Sequence, residues 1–453
     1  MMILVWNDRG DFVSSTLRPS PMTLVWLRLP IALLKGLAYD EKMNMTPPNS
    51  HNIFQSDRKK IILAAQYFLY FGVMGAFLPY FNLYCYKIGF NGVEIGNLAA
   101  ARQVAMIIFP LIWGTLADRF KARRPIFIFA SFAGAVVWGG LLLTADYGWM
   151  LLIVTIYGVF YAPLIPFLEA FTMDILGGHK KSYGRTRLWG SIAFISMVLG
   201  LGWVIDRFSI KIILSVILVG SLLQSLVALI IPDVNLKSTL PFGQGVKSVF
   251  HGRFIIFMIS AFIMLLSHGA YYSFFSIHLN KLGYSTTFIS SCWALASTAE
   301  IGVMLFSDRI FKRFSLKTVI IFSFLMAVIR WTVLYRVTGA FAILGSQLTH
   351  AVTYGTFHMA SILYVDRLIP KEVKTLGQGI NNALTYGLGL MVGFYISGNL
   401  YEHFGTPFLF ALSAILALVG GIVFAGFEIL RPRLKPVRSV NHRDGGKRER
   451  ATI

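Results

Sequence analysis

The chain has 453 residues, 56% of them hydrophobic and only 13% charged, with a formal net charge of +21. A soluble domain carries roughly twice that charged fraction, so a soluble globular protein is excluded. The basic residues sit in short gaps between apolar runs, which argues against a nucleic-acid-binding patch, and the two cysteines, Cys85 and Cys292, lie in or beside apolar segments and point to neither a disulfide framework nor a metal site.

Residues 1–57 contain one apolar segment, 22–38, but it is short and interrupted by Arg28 and Lys35. No small-residue cleavage site follows it, so it reads as neither a span nor a signal peptide. Met43 and Met45 precede the polar run TPPNSHNIFQSDRKK, which has the look of a natural start. Residues 1–42 therefore read as an upstream extension, and 1–57 as a disordered or mis-assigned leader to the fold.

From residue 58 onward, stretches near twenty residues with almost no charge recur. Each is long enough to cross a hydrocarbon core of ~30 Å at ~1.5 Å per residue, and in lipid only a helix satisfies its own backbone. Twelve spans are predicted, at 61–84, 93–117, 125–145, 149–171, 187–206, 210–231, 254–279, 285–306, 316–336, 340–364, 376–400 and 405–428. The largest interior gap, 232–253, carries Pro232, Pro241, Gly243 and Gly245 and divides the chain into six-helix halves, 58–231 and 254–430. The segment 431–453 is a polar, basic tail. The fold class expected is an all-α membrane protein with twelve transmembrane helices in two six-helix bundles.

Five bases, Lys87, Arg207, Lys211, Lys281 and Arg336, fall in odd-to-even connections, against 29 in residues 58–60, the even-to-odd connections and the tail. Bases concentrate on the cytoplasmic side, so both termini are expected in the cytoplasm and the protein in the plasma (inner) membrane.

The connection after span two runs from Gly114 through Asp118, Arg119, Lys121, Arg123 and Arg124, and the equivalent one after span eight holds Asp308, Arg309, Lys312 and Arg313. An acid followed by bases at the end of an even helix can bond neighbouring helix ends and latch one conformation. Recurrence at matching places in the two halves makes Gly114, Asp118, Arg119, Arg123, Arg124, Asp308 and Arg309 candidate latch residues.

This pattern resembles the signature of the major facilitator superfamily, G-x-x-x-D-R followed by bases. The resemblance covers about residues 58–430. It departs at Lys121, where glycine is common, and at Ala122, where arginine is common; the second copy lacks the opening glycine. Within the superfamily, the strings around Tyr183–Ser191 and His268–Phe275, with Trp293, Glu300, Arg330-Trp331 and Gln347–Ala351, resemble the 3-phenylpropionate transporter group, related to lactose permease and nucleoside–proton symporters.

Ionisable residues inside spans are costly and mark interior or wetted sites. They are Arg102, Glu169, His268, Glu300, Arg330, His350 and His358. Glu300, Arg330 and His350 lie on consecutive spans within roughly two turns of mid-membrane. This resembles the Glu, Arg and His of lactose permease, a pattern that implies proton coupling. A second Glu three positions after the His is replaced here by Thr353. Glu300 is read as the proton carrier, Arg330 as its charge partner and His350 as a polar contact or relay. Glu169 and His358 lie nearer the span ends and read as structural.

His268, Tyr271, Tyr272 and Phe275 share one face of span seven, and His350, Tyr354 and Phe357 one face of span ten. Such rings, with Arg102 and Arg330, suit an aromatic carboxylate; they also suit a sugar or nucleoside. The candidate substrate residues are Arg102, His268, Tyr271, Tyr272 and Tyr354. Span eleven is rich in glycine, from Gly377 to Gly398, with Asn381 and Asn382 among them, which permits close and sliding helix contact.

The resemblance implies a monomeric proton-coupled symporter of a small organic acid such as 3-phenylpropionate, embedded in lipid, with no cofactor and no nucleic acid. A nucleoside or oligosaccharide symporter and a non-transporting sensor on the same fold remain open. An integral-membrane enzyme fits less well, because the base-poor connections are short and hold few catalytic residue types.

Overall fold

The computed structural model describes residues 4–6, 12–14, 50–176, 180–232, 249–370 and 373–430. Of the leader, it describes an antiparallel pairing of β1 (Leu4–Trp6) with β2 (Phe12–Ser14) and the start of the first helix. The rest of 1–49, most of the 232–253 connection and the 431–453 tail lie outside the described residues, so the expectations for them are not addressed by it.

The apolar runs fold as helices, interrupted where proline or glycine demands it. The first crossing is α1 (Ser50–Phe77) with α2 (Phe81–Lys87), divided at Pro79, a residue with no backbone N–H. The second is α3 (Gly92–Phe120), entered through a capping box between Asn91 and Glu94. Next come α4 (Arg123–Gly139), then α5 (Tyr147–Tyr161) with α6 (Leu164–Leu176) about Pro163, α7 (Lys180–Ile205) and α8 (Ile212–Ala228).

In the second half, α9 (Gly252–Lys281), α10 (Thr286–Arg313) and α11 (Leu316–Arg336) run unbroken, the last two capped by Ser285 and Ser315. The tenth crossing is broken. Helix α12 (Ala340–Leu348) passes through a π-helical segment, Ala351–Thr356, into α13 (Phe357–Leu368). The eleventh begins as α14 (Lys374–Asn381) and a second π segment, Asn382–Gly389, before α15 (Leu390–Leu430).

Nine helical stretches among the described residues are long and apolar enough to cross a membrane. The last, Leu376–Leu430, has 55 residues. Straight, it would reach about 80 Å, far beyond a core of ~30 Å. The chain instead turns at Gly405, whose φ of 71° only glycine adopts freely, with Pro407 behind it. Counting that helix as two, and adding the short apolar α8 and the broken α12–α13, gives twelve candidate crossings.

The interior is packed by aromatic residues, including Trp138, Tyr157, Phe81, Tyr271 and Trp331. Close helix approach depends on glycine. A Cβ on Gly269 of α9 would lie 2.5 Å from the Cα of Gly393 on α15.

The two halves are tied together at the end holding the base-poor connections. Asp206, just past α7, accepts the amides of Thr286 and Thr287 at 2.7 and 2.8 Å and the Thr287 hydroxyl at 2.6 Å. Glu402 accepts the amide of Gly92, where α3 begins. Asn82 of α2 donates to the Ser273 carbonyl of α9 at 3.1 Å. Helices α3 and α15 meet at Gly96 and Gly398, where a Cβ on Gly96 would stand 2.7 Å from the opposite Cα.

Candidate functional site

Three consecutive helices each bring one ionisable side chain to a common point. Glu300 comes from α10, Arg330 from α11, and His350 from the junction where α12 gives way to the π segment. Arg330 is completely buried, and the His350 side chain is 5% exposed. The Glu300 side chain is 26% exposed, the most open of the trio.

Their order is Glu300, His350, Arg330. Glu300 Oε1 lies 2.7 Å from His350 Nε2, and His350 Nδ1 lies 2.6 Å from Arg330 Nη1. The imidazole thus stands between Glu300 and Arg330, the charge partner expected for the acid. This geometry also assigns the ring proton. A guanidinium only donates, so Nδ1 must be the bare acceptor, and a neutral ring then carries its hydrogen on Nε2, facing the carboxylate.

Arg330 has further partners. Nη1 donates to Thr353 Oγ1 at 3.3 Å and Nη2 to Gln347 Oε1 at 3.1 Å, which leaves Nε without a partner. The rings of Tyr271 and Trp331 lie 4.2 and 4.7 Å from the guanidinium carbon. Aromatic faces of this kind favour a cation shut away from water.

All four proposed substrate rings lie around His350. Tyr354 stacks on His350 at 5.3 Å, and Tyr271 and Tyr272 approach the same ring at 5.4 and 6.2 Å. His268 lies 6.3 Å from His350 and 4.9 Å from Trp331. Its Nδ1 is 2.9 Å from the Met264 carbonyl, which requires an Nδ1–H, and its Nε2 is buried without a partner. His358 continues the stack, 6.5 Å from Tyr354 and 4.9 Å from Tyr386.

The π segment rephases span ten, so Phe357 does not share the His350 and Tyr354 face; it packs on Phe324 at 5.7 Å. Arg102 also stands apart. It belongs to a first-half cluster, its guanidinium 4.4 Å from the Phe77 ring and 5.6 Å from Tyr161. Glu169 interacts electrostatically with Arg187, whose guanidinium covers Phe71 at 3.8 Å.

At the signature connection, Asp118 and Arg119 occupy the last turn of α3, and Lys121 ends it in the left-handed conformation (φ 50°). That backbone is the reason a glycine suits this place. Arg123 bonds Asp174 at 3.1 Å and lies 3.9 Å from Asp118. Arg124 donates to the carbonyls of Ile231 and Leu229 beyond the end of α8. Asp308 and Arg309 lie within α10, which runs on to Arg313. Gly114 has open space where a Cβ would be.

Sequence reasoning passed over Gln347 as a site residue and read Thr353 as a missing acid. Both are neutral polar residues one turn from His350, and that spacing was the available signal. A groove of about 220 Å³ between Lys60, Ile61, Ala64, Arg185, Thr186 and Trp189 contains none of the buried site groups.

The chain can be set against known proteins. It is 26% identical over 388 residues to a probable 3-phenylpropionic acid transporter of Escherichia coli (strain K12), covering 83% of this chain and 97% of that protein. It is 22% identical to a maltose permease of Geobacillus stearothermophilus, over 81% of this chain and 93% of the relative. The crystal structure of the nucleoside transporter NupG shares the fold with a TM-score of 0.74 at 18% identity, covering 82% of this chain and all of that one. Residues 60–412 match the MFS_1 like family over well more than half the chain, and this protein, a multi-pass membrane transporter of the major facilitator type, belongs to that family.

Proposed function

We propose that the protein is a proton-coupled symporter of a small aromatic or other organic acid, a phenylpropionate being the first example to test. The observation that carries this reading is the Glu300–His350–Arg330 chain, in which one partly exposed acid touches a buried base through an imidazole. Glu300 carries the coupling proton. When it is ionised, its charge balances Arg330. A proton on Glu300 removes that balance, and an incoming carboxylate restores it, so proton and anion enter the site together.

Arg102, in the first half, is the second guanidinium offered to the substrate carboxylate beside Arg330. No ion-pair partner occupies its guanidinium among the described residues, and Phe77 and Tyr161 flank it. The rings of Tyr272, Tyr354 and His268 supply faces for an aromatic group. The excess of bases in the even-to-odd connections supports a topology with both termini in the cytoplasm of a cell whose inner membrane holds the protein. The base-poor end, where the halves are joined, then faces outward, and the arrangement described is inward-facing.

A nucleoside or oligosaccharide as cargo is the second reading. It is supported by relatives bearing those names, the maltose permease and a nucleoside permease NupG of Escherichia coli at 19% identity. Uptake of radiolabelled 3-phenylpropionate into proteoliposomes, with and without an imposed proton gradient, separates them. Wild type should accumulate the acid under the gradient, and Glu300→Gln should lose accumulation while keeping exchange. No uptake by either protein discards the aromatic acid and moves the assay to nucleosides and oligosaccharides. Ligand binding without any flux would point to a sensor.

A further inference from the structure

Gln347 lies one turn before His350 and is wholly buried. Every bond its amide makes has a direction. Nε2 donates to the Ile343 carbonyl at 3.2 Å and to Ser346 Oγ at 2.9 Å. Oε1 accepts from the Tyr271 hydroxyl at 3.0 Å and from Arg330 Nη2 at 3.1 Å. A flipped amide would set NH2 against a guanidinium that only donates, so the orientation is forced.

The guanidinium is a rigid planar fork, and seating one prong sets the other. With Nη2 held on Gln347, Nη1 is aimed at His350 Nδ1, 2.6 Å away. That nitrogen is denied a proton, and the ring hydrogen stays on Nε2 toward Glu300. None of the hydrogen bonds of Gln347 reaches Glu300, yet Gln347 decides, through Arg330, what His350 presents to the acid.

We infer that Gln347 is a positioning residue that locks His350 in its neutral Nε2–H tautomer, so that Glu300 alone of the trio is open to a proton. The inference deepens the proposed proton coupling and rests on it for its transport consequence; the tautomer itself is a property of the protein without substrate. The titratable groups facing His350 are His268, Tyr271 and Tyr272 of α9, Glu300 of α10, Arg330 of α11 and Tyr354 of its own crossing. Of these, Arg330 bonds Nδ1 and Glu300 bonds Nε2. Once the fork is released, Nδ1 can take a second proton, and protonation is no longer confined to Glu300.

The test is the imidazole nitrogen spectrum of the full chain labelled with 15N-histidine in nanodiscs, with His350→Asn supplying the assignment by difference. Wild-type His350 should show a bare Nδ1 and a protonated Nε2, the opposite tautomer to His268. Gln347→Met should turn His350 into an imidazolium or a mixture of tautomers. Gln347→Glu, which keeps an acceptor toward Arg330, should restore the wild-type pattern. If Gln347→Met does not fold, Gln347→Asn, which withdraws the oxygen by one methylene, tests the same lock. An Nδ1–H tautomer in wild type, or an unchanged ring in the folded Gln347 variants, overturns the inference. In proteoliposomes the folded lock variant should lose about tenfold in gradient-driven uptake while retaining exchange. If wild type carries no phenylpropionate, the substrate reading falls and the nitrogen spectrum still decides the tautomer.

Discussion

Asp206 accepts both the hydroxyl and the amide of Thr287, at 2.6 and 2.8 Å, and so fastens the end of α7 to the start of α10. The mirror of this contact is Glu402, at the base-poor end of the eleventh crossing, which accepts the amide of Gly92 at the start of the second. In each half, an acid after the fifth helix caps the second helix of the other half. A carboxylate at a helix N-terminus meets both free N–H groups and the positive end of the dipole. Both acids are exposed, so the whole contact made by each carboxylate is worth about 1 kcal/mol, or about fivefold in the balance between joined and open forms. Asp206→Ala and Glu402→Ala should each shift that balance by this factor, and the double variant by the product, since the two sites share no partner. Spin-label distances across the base-poor end measure it. An unchanged distance distribution in the double variant would remove the two acids from the joint.

The pH behaviour of this joint follows from Asp206, which lies beyond the end of its helix. Partial burial disfavours its charge, but hydrogen bonds from Thr287 and Thr286 outweigh burial and hold the carboxyl below its ordinary value. A depressed value means the contact is present above the usual carboxyl range and is lost only as pH falls through the lower one. Between about pH 5 and 8 the Asp206 contact should therefore not titrate. Label distances followed across that window should stay flat on its account. An opening in mild acid that Asp206→Asn abolishes would contradict this.

How much of this was legible beforehand differs by kind of residue. Long apolar runs announce helices, so the twelve crossings were readable, and a charge inside such a run is rare enough to single out Glu300, Arg330 and His350. The π segments after His350 and Asn381 leave no compositional mark, which is why Phe357 was placed on the wrong face. Asp206 ends the predicted fifth span and Glu402 follows the predicted eleventh, places where an acid is ordinary, and their partners include backbone amides that no pattern of side chains could reveal. Gln347 was hidden for another reason. A neutral amide in an apolar run costs far less than a charge, so its presence carries less information.

Lys121 offers a local test of backbone strain. It ends α3 at φ 50°, ψ 38°, a conformation that disfavours a side chain. Lys121→Gly should relieve about 1 kcal/mol of steric cost, less a part returned as unfolded-chain entropy. The expected result is a rise of about 1–2 °C in the thermal midpoint of the purified protein. A fall would show that the lysine side chain contributes more than its backbone costs.

Glu428 gathers the basic end of the second half. Its side chain is 4% exposed, pairs with Lys317, lies 3.7 Å from Arg253 Nε, and accepts the Tyr364 hydroxyl at 2.6 Å. Glu428→Ala should cost about 2–3 kcal/mol, and Tyr364→Phe about 1. The loss stays at that level because Lys317 and Arg253 are 44% and 33% exposed and can rehydrate. Thermal unfolding of both variants should rank them in this order. Equal midpoints would mean that the two cations, and not the hydroxyl, contribute nothing to the cluster.

Gly355 connects the π segment to the acid of the site. A Cβ there would lie 3.3 Å from Glu300 Cγ, close enough that the carboxylate stem must give way by a few tenths of an ångström. Gly355→Ala asks for a shift that a single methyl and a partly exposed side chain can share. Gly355→Val adds branched bulk in a helix, where one rotamer is strongly preferred and cannot turn aside. The valine should push Glu300 away from His350 Nε2 and break the 2.7 Å contact. If Glu300 carries the coupling proton, the ratio of gradient-driven accumulation to exchange should stay near wild type in the alanine variant and fall about tenfold in the valine variant, approaching Glu300→Gln. A valine variant with the wild-type ratio would separate proton coupling from the packing of the π segment on Glu300, and would leave the hydrogen-bond chain through His350 and Arg330 to account for coupling without it.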